Sequence, residues 1–80
     1  MDGARVSRVE PGGAAAQAGL KPGDVIVMTE RGGVSGPLDV MRALDSAQMA
    51  NKEYAPLLVR GADGTLRWTA LAARVKVASP

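Results

Sequence analysis

Apolar and polar residues follow several different rhythms along this chain, and each rhythm predicts an element. From Ala4 to Val9 the alternation is imperfect, with Val6 and Arg8 on one face and Arg5, Ser7 and Val9 on the other. It predicts a short strand, ended by the turn signal Glu10-Pro11-Gly12-Gly13. Val25 to Thr29, VIVMT, is a continuous apolar run of strand length, and its β-branched residues predict a buried strand rather than a helix. ERGGV then turns the chain. From about Pro37 to Gln48 the period changes: Val40, Ala43, Leu44 and Ala47 make a helical stripe facing a core, with Met41 and Leu44 opening an adjoining apolar edge. Pro37 suits the first helical position, where its missing N–H costs nothing, and Asp39 places a negative charge in the first turn. Pro56 to Arg60 predicts a strand with Pro56 at its first residue or on a sheet edge. Asp63-Gly64 is a hairpin signal, and Leu66 to Ala72 sets Leu66, Trp68 and Ala70 against Arg67, Thr69 and Leu71. After Ala73 the pattern predicts a loosely ordered tail.

The stretch EPGGAAAQAGLKPGD, Glu10 to Asp24, carries a different kind of information. Ala14 to Ala18 are strong helix formers, and Gly19 stands where a left-handed residue ends a helix. Leu20 is placed to fold back onto the last turn. Pro22-Gly23 fits the centre of a type II turn that leads into Val25-Ile26-Val27. A flexible linker has no need of this punctuation. It predicts a helix of one or two turns whose small side chains let it lie close on a sheet. The predicted order is strand, short helix, strand, longer helix, strand, strand, an α+β arrangement without internal repeats.

Composition narrows what such a domain does. Its 80 residues, 46% apolar, suit one small domain, which buries only ~60% of the surface of its unfolded chain. With Trp68, Tyr54 and no Phe, the core is left to Val, Leu, Ile, Met and Ala. The net charge of +2 comes from basic residues spread along the chain, locally dense only at ARVK near the end. That argues against nucleic acid as a partner. No apolar run approaches the ~20 residues of a membrane span, and no signal-peptide pattern opens the chain. Met1-Asp2-Gly3 reads more like the start of an excised segment than a native start.

The chain contains no histidine and no cysteine. That excludes a Ser-His-Asp triad, a Cys-His pair and thiolate or imidazole metal sites within it. Ser35 lies in a VSGP turn, none of the serines sits in a Gly-x-Ser-x-Gly elbow, and no lysine is placed beside one. The carboxylates, mostly next to Gly, Pro or a base, read as turn formers and solvated charges. No catalytic residue, metal ligand or cofactor is expected.

VEPGGAAAQAGLKPGDVIV resembles the signature of bacterial PDZ domains, V-x-P-x-S-P-A-x-x-A-G-L-x-x-G-D-x-I. The matching positions are Val9, Pro11, Ala15, Ala18-Gly19-Leu20, Gly23-Asp24 and Ile26. VSGPLDVMRAL is similar to the second helix of that family and PLLVRGADGTLRWTAL to its closing hairpin. The ending looks most like the C-terminal, second PDZ domain of Deg/HtrA-type periplasmic serine proteases. The sequence departs from the family at Gly13 for Ser, Ala14 for Pro, Glu30 for a common Asn and Gly36 for a capping Ser. The x-Φ-G-Φ carboxylate-binding loop, with the strand it precedes, is also missing ahead of Ala4. The chain was cut after that loop, or the domain does without it.

The resemblance implies a small, partly open antiparallel β-barrel or sandwich of about 4–5 strands with one short and one longer helix, ordered over about residues 4–73. It implies a non-catalytic module binding C-terminal or unfolded peptide segments by strand addition. Carried over, the family's groove positions fall on Pro37, Met41 and Leu44, with Val40 toward the core; the residues alone leave Leu44, and less readily Met41, readable as core. The resemblance further implies a periplasmic or cell-envelope setting and a serine endopeptidase as parent, whose protease domain would be a partner. The alternative is a scaffolding domain that docks a folded partner, in a secretion system or a site-2 or tail-specific protease. An apolar helix edge and an unpaired strand would also favour self-association.

Overall fold

The computed structural model describes residues 3–73. The tail expected after Ala73 lies outside the described residues. Five strands and two helices follow one another as β1 (Ala4–Arg5), α1 (Ala14–Gln17), β2 (Val25–Thr29), β3 (Gly32–Gly33), α2 (Pro37–Met49), β4 (Tyr54–Arg60) and β5 (Leu66–Ala72). The strands form one antiparallel sheet in the order β1-β2-β4-β5, with the short β3 paired to β2. The expected α+β architecture, with one short and one longer helix, is the one observed.

Both helices lie on the same face of the sheet. That face carries Ile26, Leu57, Val59 and Leu71, joined by Leu20, Val34 and Val40, with Ala15 and Ala18 of the α1 segment packed against them. Leu57 and Val59 are wholly buried. A second, smaller cluster of Ala47, Ala55 and Ala73 continues the core toward the end of α2, and Leu44 packs against both. With alanines at so many contacts, backbone-to-backbone approach replaces the bulk that aromatic rings would supply.

Each helix ends by the same device. After α1, the Leu20 N–H donates to the Ala15 carbonyl and the Gly19 N–H to that of Ala16, with Gly19 at φ +80°. After α2, Lys52 and Asn51 make the equivalent bonds to Ala47 and Gln48, with Asn51 at φ 60°. Both are Schellman caps, which satisfy carbonyls that a helix end leaves without partners. The expected type II turn is also present: the Asp24 N–H donates to the Lys21 carbonyl at 3.0 Å, and Gly23 has φ +97°.

Three boundaries differ from the sequence reading. The strand expected over Ala4–Val9 ends at Arg5, followed by Val6 bonds to Asp24 and Gly23. Its partner β2 begins at Val25, so residues beyond Val6 have no strand to pair with. The strand expected from Pro56 begins at Tyr54, because β5 reaches back to Ala72 opposite it. Pro56 is therefore neither the first residue nor on an edge strand. It is tolerated because β2 pairs with β4 only from Leu57 onward, leaving that side of Pro56 without a ladder. Finally, ERGGV does more than turn the chain: Gly32 and Gly33 add the small strand β3.

Candidate functional site

The second helix starts without a side-chain N-cap at Gly36. Asp39 compensates by accepting the Ser35 N–H at 2.7 Å, tying down the turn that precedes the helix. Pro37 takes the first helical position as expected. The helix then divides its apolar residues between two faces. Val40, Ala43 and Ala47 are buried. Pro37, Leu38 and Met41 face solvent, Leu38 at 57% and Met41 at 59% exposure. Met41 is thus not a core residue. Leu44 is half-buried at the boundary, packed on both core clusters while leaving part of its side chain accessible. The three sequence-derived positions are therefore near one another on α2, in two different environments.

The elements beside this face matter as much as its side chains. The helix packs against β1 and β2 as well as β4. Strand β1 stands at the edge of the sheet, paired on one side with β2 through Ala4↔Ile26 and Arg5↔Val25. An edge strand next to an accessible apolar helix face is the geometry an extended chain can enter by adding to the sheet. Further along the helix, Arg31 donates to the Ser46 hydroxyl at 2.9 Å and Lys52 pairs with Glu30 at 3.1 Å. These exposed clips hold the β2–β3 turn to α2, and a surface pair of this kind contributes at most about 1 kcal/mol.

A polar cleft of ≈ 480 Å³ lies elsewhere, lined in part by Lys21, Pro22, Asp24, Asp63, Thr65 and Arg67. Asp24 serves the turn, as expected of the carboxylates, but is not a solvated charge, being only 5% exposed. Its carboxylate accepts the Lys21 N–H at 2.9 Å and an Arg67 N–H at 3.0 Å. The Lys21 N–H first, and Arg67 second, hold its pKa below the ordinary value of 3.8. Arg67 also donates to the Gly19 carbonyl at 2.9 Å, and the Thr69 hydroxyl donates to that of Ala18 at 2.6 Å. Asp63 closes the hairpin by accepting from the Thr65 hydroxyl and N–H, which lower its pKa as well. Asp24 and Arg67 are thus occupied in joining the α1 segment to β5, and Asp63 in closing the hairpin. The signal that could have revealed this was Arg67, a strand cation on the same alternation as Leu71.

Among the described residues no His, Cys, Asp and Glu come together in a group able to hold a metal ion. No helix among them is long and apolar enough to cross a membrane.

The family described as a PDZ domain matches residues 5–30, which run from the end of β1 through α1 to the end of β2. The α+β sheet with two helices is consistent with a PDZ fold. No curated protein matches the chain as a relative. Domains of this kind bind peptide or protein segments and are generally non-catalytic.

Proposed function

We propose that this chain is a peptide- or protein-binding module that takes an extended apolar segment alongside α2, with Pro37, Met41 and Leu44 contacting the ligand's side chains. The observation carrying this reading is the edge strand β1 packed next to a helix that turns Pro37, Leu38 and Met41 to solvent. Backbone pairing at the strand would supply affinity, and the helix side chains selectivity. Met41 suits a permissive contact, because an unbranched thioether adapts to several apolar shapes. The parent would be a Deg/HtrA-type serine endopeptidase of the periplasm or cell envelope, with this module contributing substrate recognition, oligomer contacts or activation. That finer assignment rests on the likeness of the VSGPLDV and TLRWTAL segments.

The test is a titration of isotope-labelled amides with apolar-ended peptides. The expected result is a set of shifts at Arg5, Leu38, Met41 and Leu44, with Met41→Lys weakening binding about tenfold or more. Peptide saturating the protein without moving these amides would sink the reading. The same edge strand and helix face would serve an internal segment of a folded partner, which brings no terminal carboxylate to be held. In that second reading the chain is a scaffold. Titrating apolar-ended peptides into the chain as it stands and into one extended at its N-terminus separates the two, since no shifts in either favours the scaffold. A trypsin-like domain in the same polypeptide would support the parent class, and a secretion or metalloprotease context would replace it.

A further inference from the structure

The sheet has a second face, opposite the helices, and its composition is unusual for a surface. Cross-strand partners place Tyr54 beside Ala72, Pro56 beside Ala70 and Leu58 beside Trp68, with Met28 on the other side of Leu58. Strand alternation puts these residues on the face away from Leu57, Val59 and Leu71. Leu66 and Trp68 are each 59% exposed, Tyr54 57% and Met28 40%. Among the described residues both helices pack on the other face, so no element covers this one. Charge gathers at one end, where Arg60 lies opposite Leu66 and exposed Arg5 falls in the same cross-strand row through Val25.

We propose that this face is a self-complementary interface through which two copies of the chain dimerise, sheet against sheet. The surface is distinct from the helix edge and unpaired strand that the sequence suggested for self-association, and the inference does not rest on peptide binding at α2. A two-fold contact brings the same patch of each copy together, so the patch must tolerate its own image. This one does: its centre at Leu58, Trp68 and Ala70 is uncharged, and an axis there sends the two Arg60 side chains to opposite rims. A peptide ligand would need a groove, whereas this face is a sheet surface. A lipid surface would be favoured by basic residues all round the rim, whereas Arg60 and Arg5 both sit at one end.

The area fits a weak dimer. Taking ~150–250 Å² for each large aromatic and proportionately less for the aliphatic residues, the accessible part of the patch is roughly 500–600 Å². Two copies would bury on the order of 1,000–1,200 Å², at the lower limit for specific association. The inner faces of two packed sheets then lie about 10 Å apart, as in a β-sandwich.

Trp68 is the only tryptophan and sits at the centre of the patch, so its emission reports burial directly. The experiment follows that emission and the sedimenting mass together, from about 1 μM to about 1 mM chain. The expected result is a doubling of mass accompanied by a shift of emission to shorter wavelength over one concentration range. Leu66→Lys and Ala70→Lys change residues already facing solvent; both should keep the circular dichroism of the fold and weaken dimerisation at least tenfold. Met49→Lys, which removes an 89% exposed methionine from α2, should leave it unchanged. A strict monomer at the highest concentration would overturn the proposal. So would a doubled mass without the emission shift, which would assign association to strand edges or the helix face. An emission shift produced by added peptide or vesicles at constant protein mass would give the face to that ligand instead.

Discussion

The Asp24–Arg67 pair offers the sharpest test of how this small domain is closed. The perturbation is a double-mutant cycle of Asp24→Asn, Arg67→Ala and their combination. Asp24→Asn keeps a side-chain oxygen for the Lys21 N–H and removes the charge that Arg67 meets at 3.0 Å. Hydrogen bonds to charged groups contribute about 1.5–3 kcal/mol, and fully exposed ion pairs about 0.2–1 kcal/mol. The Asp24 side chain is 7% exposed and that of Arg67 41%. A half-exposed pair belongs between those ranges, so we expect a coupling of about 1–1.5 kcal/mol after discounting for solvent on the arginine side. The whole domain has about 4–12 kcal/mol of stability at the usual per-residue values, and each kcal/mol moves the melting temperature by about 4–8 °C.

Urea unfolding followed by Trp68 emission and circular dichroism measures the cycle. Its pH dependence has a definite sign. The folded-state pKa of Asp24 lies below 3.8, so its stabilisation is complete above the ordinary carboxylate range and is lost as pH falls through the folded value. Coupling should be equal at about pH 7 and about pH 5, decline as pH falls through the folded value and vanish once Asp24 is fully protonated. Asp63 has the same direction of shift, so Asp24→Asn retains some acid sensitivity. A coupling within about 0.3 kcal/mol of zero at neutral pH would refute the reasoning, as would one that survives full protonation.

Two further substitutions probe other parts of the structure. Leu57→Ala removes a side chain with no exposure and should cost about 2–5 kcal/mol, enough to leave a substantial unfolded fraction by thermal melting. Gly19→Ala meets no atom within 4 Å but must hold φ +80°; the expected loss is about 1–2 kcal/mol from the backbone alone, measurable in the urea midpoint without a change in slope.

The parts of the fold written in short-range terms were legible. Gly19, Pro22-Gly23 and Pro37 each act through their own backbone preferences, and the structure places each as the sequence predicts. Strand β5 shows where that legibility ends. Its alternation was plain, but which side faces the core was not. Leu66 and Trp68 look like core residues and lie outside, while Arg67 and Thr69 look like surface and reach the end of α1. The choice was made by partners 48 and 51 residues away, beyond the reach of local pattern. The candidate site divided similarly: the family resemblance grouped Pro37, Met41 and Leu44, but only packing separates half-buried Leu44 from exposed Met41.

Those long-range bonds bear on how the chain is made. Residues 5–30, the segment that matches a known family, include a helix of four residues, far too short to persist in water by itself. What holds its end are Arg67 and Thr69, translated 48 and 51 positions after the carbonyls they bind. At typical synthesis rates those carbonyls wait about 2–10 s on the ribosome before the two side chains exist. Throughout that interval the most recognisable part of the sequence lacks the long-range bonds that fasten the end of its helix to β5. A nascent chain stalled inside α2 would display the signature and lack the fold.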